Sequence, residues 1–277
     1  MGLRIATNMA SIAANRALQR TSSEQSKTYT RLSSGQRITQ AGDDAAGLSI
    51  SENLRAQIRS TTQAERNAND GISFAQVAEG GLSEIGNIMI RLRELAIQAG
   101  SDTVGDKERS YINTEVQSLV QEVDRIANVT SFNGTPLLNG QNSKAELEFQ
   151  VGTRNDEADR ILFNTSENDV RASSLGVEGL DYETIDGARE SIDRVDEAIN
   201  RVSGSRARLG AMQNKLHASV NNLGITKENL SQARSRIADA DVAAETSELV
   251  RGNILQQAGI SVLAQANSAP MAALKLL

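Results

Sequence analysis

The sequence has no cysteine, no tryptophan and one histidine among its 277 residues. Without cysteine there is neither disulfide nor thiolate chemistry, and redox usage leaves the compartment unmarked. One histidine, His217, excludes a two-histidine zinc site or an HExxH helix within one chain. A serine triad would have to recruit His217, which lies beside Lys215 on a polar helix face and reads as solvated. Proline is confined to Pro136 and Pro270, so long stretches can run as unbroken helix. Seven aromatics (Tyr29, Tyr111, Tyr182, Phe74, Phe132, Phe149 and Phe163) are too few for a broad globular core, and thin helical seams of Ala, Ile, Leu and Val fit better.

Charge is scarce at both ends. Residues 1–15 carry only Arg4, and residues 253–277 carry only Lys275. Their Ala, Ile, Leu, Met, Ser, Asn and Gln make helix but give an isolated helix no charged, solvated face. Such ends suggest a subunit that completes its fold against copies of itself. The start Met-Gly-Leu-Arg has no apolar run, and Gln256, Gln257, Ser261, Gln265, Asn267 and Ser268 interrupt the tail, so neither a signal peptide nor membrane insertion is expected. Composition alone then places the chain in the cytoplasm. The net charge of -6 hides an asymmetry: residues 101–200 hold 21 acids and 9 bases, against 14 and 20 elsewhere. An acidic middle argues against nucleic acid, and the flanking arginines read as solvating helix faces.

What is present is period. From Leu54 through Thr61, Ala68, Ala75, Leu82 and Met89 to Ala99, small and apolar residues recur every three or four positions. Residues 44–99 as one helix would span about 84 Å, longer than a globular helix needs. Ser101 to Gly105 reads as a turn, followed by a second stripe of Ile112, Val116, Leu119, Val123 and Ile126. A third stripe runs from Ala188 to Ile237, with Arg206 in one slot between Val202 and Leu209. Matching stripes on either side of an insert predict a chain that runs out along a rod and returns antiparallel. The insert holds the only plausible strands, residues 145–152 and 160–164, joined through Arg154-Asn155-Asp156-Glu157. Phe132-Asn133-Gly134 and Asn139-Gly140 supply turn chemistry before it. The expected fold is mainly α: a long antiparallel helical bundle or coiled coil with a small β-hairpin region, its N- and C-terminal helices paired as an inner coiled coil. The expected divisions are 1–43 with 238–277, 44–140 with 185–237, and an insert over 141–184.

No P-loop and no GxGxxG follows a strand, and Gly80-Gly81 within a helical stripe reads as a packing or flexing point. Asp43-Asp44 and Asp239-Ala240-Asp241 stand where stripes begin or end, so capping explains them better than metal or acid–base work. The calcium-loop pattern fails because Ala244 stands where it needs glycine. No catalytic, cofactor or metal site is expected.

Arg31-Leu32-Ser33-Ser34-Gly35-Gln36-Arg37-Ile38 and Asp43-Asp44-Ala45-Ala46-Gly47-Leu48-Ser49-Ile50-Ser51 closely resemble the N-terminal signature of bacterial flagellins. Residues 66–72, 91–96, 130–134, 208–211, 235–241 and 265–267 are similar to flagellin blocks in the same order. The resemblance covers about 3–140 and 185–277. It implies a non-enzymatic subunit that homopolymerises into the flagellar filament for swimming, exported unfolded by the flagellar type III apparatus, which replaces the cytoplasmic expectation. The implied placement is secreted, on the extracellular flagellum, with a sheathed or periplasmic filament also open. Its implied partners are an export chaperone, the export apparatus, and hook-associated and cap proteins. Filament-core packing is expected from Ile5, Met9, Ile12, Leu18, Leu249, Ile254, Leu255, Val262, Leu263, Leu274 and Leu277, and polar residues such as Asn8 and Gln256 could line an axial channel. About fifty residues separate the two similar halves, so variable outer domains are absent and a thin, smooth filament is implied. Positions matching a Toll-like receptor contact of the family are Arg91, Leu95 and Glu115; Arg91 and Glu115 could equally form inter-helix or inter-subunit pairs. A hook-filament junction protein and a cytoplasmic coiled-coil scaffold are the rival readings; the scaffold leaves the uncharged ends unexplained.

Overall fold

The computed structural model describes residues 7–141 and 146–274, without the side chains of 269–274. It divides into two compact units, Met1–Ile58 with Glu228–Leu277, and Arg59–Lys227.

In the first unit α1 (Met9–Ser34) packs against α6 (Val242–Leu274). The side-chain partners show that the two run antiparallel: Asn8 Nδ2 donates to the Ala266 carbonyl at 2.8 Å, and Gln25 Nε2 donates to Asn253 Oδ1. Leu18 faces Gly259 so closely that a Cβ there would lie 3.0 Å from Leu18 Cγ, while Gln25 faces Gly252 at 3.8 Å, an ordinary contact. Leu18 and Gln25 thus meet Gly259 and Gly252, and Ser11 Oγ donates to Asn267 Oδ1 beside Ala266; 11, 18 and 25, like 252, 259 and 266, repeat every seven positions. Asn8 caps α1 by accepting from the Ser11 N–H, and Gly35 ends it with φ 68°, a left-handed conformation that favours glycine. Beyond it, Arg37 N donates to the Ala238 carbonyl and Ala240 N to that of Gly35, which clips the chain after α1 to the chain before α6.

Asp44 and Asp241 cap helices, as their positions suggested. Asp44 Oδ1 accepts from Gly47 N at the start of α2 (Ala45–Ala99), and Asp241 Oδ1 accepts from the N–H groups of Ala243 and Ala244 at the start of α6. Asp43 Oδ2 accepts from the backbone and hydroxyl of Thr39 and from Gln40 N.

The second unit has a continuous core built by α2, α3 (Asp106–Val129) and α5 (Ile185–Ala238). Ala68, Ala75, Ala78, Leu82, Ile85, Met89, Leu92, Ala96 and Ala99 of α2 are all fully buried, as the stripe required. On α5 the seam differs from expectation. Arg206 is exposed and reaches toward Glu79, while Ser205, 3% exposed, takes the buried slot between Val202 and Leu209. One residue of rotation there keeps the guanidinium in water, where burial would cost far more than tucking in a hydroxyl. Tyr182 is also fully buried, its hydroxyl donating to the Leu92 carbonyl at 3.0 Å.

Two hairpins attach to this bundle. Ser131–Phe132 (β1) and Thr135–Pro136 (β2) form a pair turned by Asn133 and Gly134, both at positive φ, so the insert does not hold the only strands. Glu146–Gln150 (β3) and Arg160–Asn164 (β4) form the expected antiparallel pair. All four phenylalanines of the chain gather here: Phe132, Phe149 and Phe163 stand edge-on to Phe74 of α2 at 5.9, 5.2 and 4.9 Å between ring centres. Gly81 is a packing point, since a Cβ there would lie 2.8 Å from both Leu138 and Thr130. The segment after β4 includes the short helix α4 (Ala172–Leu175) and is held from α5 by arginines seven residues apart. Arg194 donates to the carbonyls of Gly176 and Glu178, Arg201 to that of Ser174, and Arg208 to that of Glu167.

Candidate assembly surface

The apolar residues of α1 and α6 divide by their seam. Leu18, Leu249 and Leu263 are half-buried. Met9, Ile12, Ile254, Leu255 and Val262 are 41% to 68% exposed. Ile5 and Leu277 lie outside the described residues, as does the side chain of Leu274, which ends α6. The seam itself is mostly polar or glycine-lined, so it takes up few of these side chains. The unit therefore turns outward much of the apolar surface that its composition supplies, and no charge interrupts that surface over residues 253–268. Exposed apolar surface repeated along a paired helix is an interaction face.

Arg31 of α1 faces two carboxylates of this unit. Arg31 lies 3.5 Å from Glu245 and 4.0 Å from Asp43. The backbone N–H and hydroxyl of Thr39 hold the Asp43 carboxyl below the usual carboxylate range.

Of the candidate receptor residues, Arg91 and Glu115 meet on the surface of α2 and α3, with Arg91 Nη2 donating to Glu115 Oε1 at 2.9 Å and Nη1 to Glu94 at 3.1 Å. Leu95 does not join them. It is 1% exposed and belongs to the core. Among the described residues no group of three or more His, Cys, Asp or Glu could hold a metal ion, and no helix is long and apolar enough to cross a membrane.

Residues 5–143 match the model of the bacterial flagellin N-terminal helical region, and residues 192–277 that of the C-terminal helical region. The chain belongs to the bacterial flagellin family. It is 42% identical to flagellin FlaB1 of Treponema pallidum over 98% of both chains, and 43% identical to a flagellin of Halalkalibacterium halodurans over 91% of both. It is 40% identical to the flagellar filament core protein flaB2 of Brachyspira hyodysenteriae over 99% of both. Among solved structures, Bacillus cereus flagellin is 28% identical with a TM-score of 0.51, covering 57% of this chain and 88% of its own. A hook-associated protein of Vibrio parahaemolyticus, at 14% identity and a TM-score of 0.59, shares the fold alone.

In this flagellin two features escaped the reading of residues. One is the Gly252, Gly259, Ala266 row, legible as a seven-residue repeat of small residues but hidden in a tail read for its scarcity of charge. The other is the arginine row 194, 201, 208, whose members hold backbone carbonyls although Arg201 and Arg208 read as merely solvating a helix face.

Proposed function

We propose that this flagellin works as a structural subunit of the bacterial flagellar filament, its α1–α6 pair forming the inner layer against the same pair of neighbouring copies. The observation that carries this reading is the outward row of Met9, Ile12, Ile254, Leu255 and Val262 on helices whose own seam does not cover them. Covering one such side chain contributes about 1.5–3 kcal/mol. A row repeated in every copy makes assembly and ordering of the ends one event. The polar residues left between them, including Asn15 and Gln19, are suited to a wet axial channel. On this reading residues 1–43 with 238–277 form the filament core, 44–140 with 185–237 the outer helical layer, and 141–184 its hairpin insert.

The same reading has the chain leave the cell through the flagellar export apparatus with a chaperone, and meet hook-associated and cap proteins at the filament ends. Receptor recognition rests on the exposed Arg91–Glu115 pair without Leu95, and a reporter-cell assay on purified monomer tests it: no response removes that partner. The structural role is tested by electron microscopy of purified protein after seeding. Long helical filaments are expected; soluble monomer or irregular aggregate would contradict the reading.

A further inference from the structure

Beside the phenylalanine cluster lies a cleft of about 690 Å³, lined by Asp70, Phe74, Phe132, Asn133, Thr135 and residues 146–149. Phe132 and Phe149 are half-buried, so each ring keeps a part free of its neighbours. Three exposed carboxylates, Asp70, Glu146 and Glu148, stand around them. Glu148 receives Arg160 at 3.3 Å; Asp70 and Glu146 have no ion-pair partner among the described residues. Ring faces with carboxylates at their margin suit a cation on a flexible stem, which rests on the π-face and donates charge-assisted hydrogen bonds to the acids. An anion is repelled there, and a neutral apolar group leaves the carboxylates unanswered.

The chain carries the complementary charge on α5, outside the lining of the cleft although Leu216 packs beside Gly71 and Phe149. Residues 198–227 contain no acid, and their bases are Arg201, Arg206, Arg208, Lys215 and Lys227. The three arginines and Lys227 approach carboxylates of their own chain. Lys215 is exposed and has no such partner among the described residues.

We propose that the aromatic, acid-rimmed cleft of one copy receives the Lys215 ammonium of a second copy, a contact between subunits outside the apolar inner layer. The proposal rests on the filament reading for its partner. The exposed setting makes the contact modest and sensitive to salt.

Filaments grown from equal parts of ordinary and ¹⁵N-labelled chain, treated with a carbodiimide, test it. The reagent joins carboxylate to amine as an amide with loss of water, and mixed-isotope peptides linking Asp70 or Glu146 to Lys215 are expected. Links found only within one isotope, or none at Lys215, overturn the proposal. In parallel, Asp70→Asn/Glu146→Gln and Lys215→Gln should each raise the critical concentration for polymerisation about two- to fivefold, the worth of one exposed cation–π contact. Lys215→Arg should restore it, and circular dichroism melting of the monomers should not move. Unchanged critical concentrations in both neutralised variants reject the cleft while leaving the filament standing. If the chain forms no filaments at all, the filament reading fails by itself, and argininamide added to the monomer decides the cleft. Shifts of the Phe132 and Phe149 ring resonances, lost in Asp70→Asn/Glu146→Gln, uphold cation binding there; unshifted rings overturn it.

Discussion

The two units bury their apolar residues to very different extents. In Arg59–Lys227 the stripes of three helices close over one another, and Leu82, Ile85, Met89, Leu92, Val116, Leu209 and Leu216 lose almost all contact with water. In the unit made from the chain ends, the buried side chains of α1 are Gln25 and Thr28, and the larger described apolar residues of α1 and α6 lie half or fully exposed. The same residue types thus serve a finished core in one unit and an unfinished surface in the other. A fold that holds alone and a fold that waits for neighbours can sit in one chain, and the sparsely charged composition marks the second.

The widest break in that comparison comes from removing residues 253–277. Polymerisation should be abolished, as read by electron microscopy and sedimentation, while thermal unfolding of the second unit stays as in the full chain. Single substitutions then separate the units. Leu92→Ala should cost the monomer about 2–5 kcal/mol in chemical denaturation. Ile254→Ala should leave monomer unfolding unchanged and raise the critical concentration for polymerisation by a factor of about 5–30, equivalent to 1–2 kcal/mol per subunit. Gly259→Val tests the seam between these extremes. Its side chain meets Leu18, and overpacking of about 1–3 kcal/mol should weaken the α1–α6 pair, read as a raised critical concentration for polymerisation. Asp241→Ala removes the α6 cap at a cost of about 1 kcal/mol in the same measurement.

The smallest effect follows from Asp43. Its carboxyl is held below the ordinary value of 3.8 by hydrogen bonds from Thr39. The ionised form is favoured in the folded unit, so its contribution is present above that ordinary value and is lost as pH falls through the lower folded one. Acid titration of the first unit's helical signal should therefore be shallower at its lower end in Asp43→Asn than in the parent chain.

Much of this was legible in the residues because helices leave a period. The stripe ending at Ala99 and the turn from Ser101 gave α2 and α3 their bounds, since buried small and apolar residues must recur every three or four positions. Asp44 and Asp241 were readable as caps because a short carboxylate at a helix start has one obvious use. Spacing alone could not choose between Ser205 and Arg206, because both lie within one residue of the ideal seam and only the facing helix decides which points inward. The burial of Leu95 was likewise beyond spacing, since a family position names a residue type without showing what packs around it. The gathering of Phe74, Phe132, Phe149 and Phe163 was beyond reach, as it depends on two hairpins folding back onto α2.

The most direct test of the account is hydrogen exchange, followed peptide by peptide in the monomer and in the filament. Exchange should be slow in both states across the buried parts of α2, α3 and α5, and fast in α1 and α6 until assembly protects them. Equal, strong protection of α1 and α6 in the dispersed monomer would contradict it, because the ends would then be complete without neighbours.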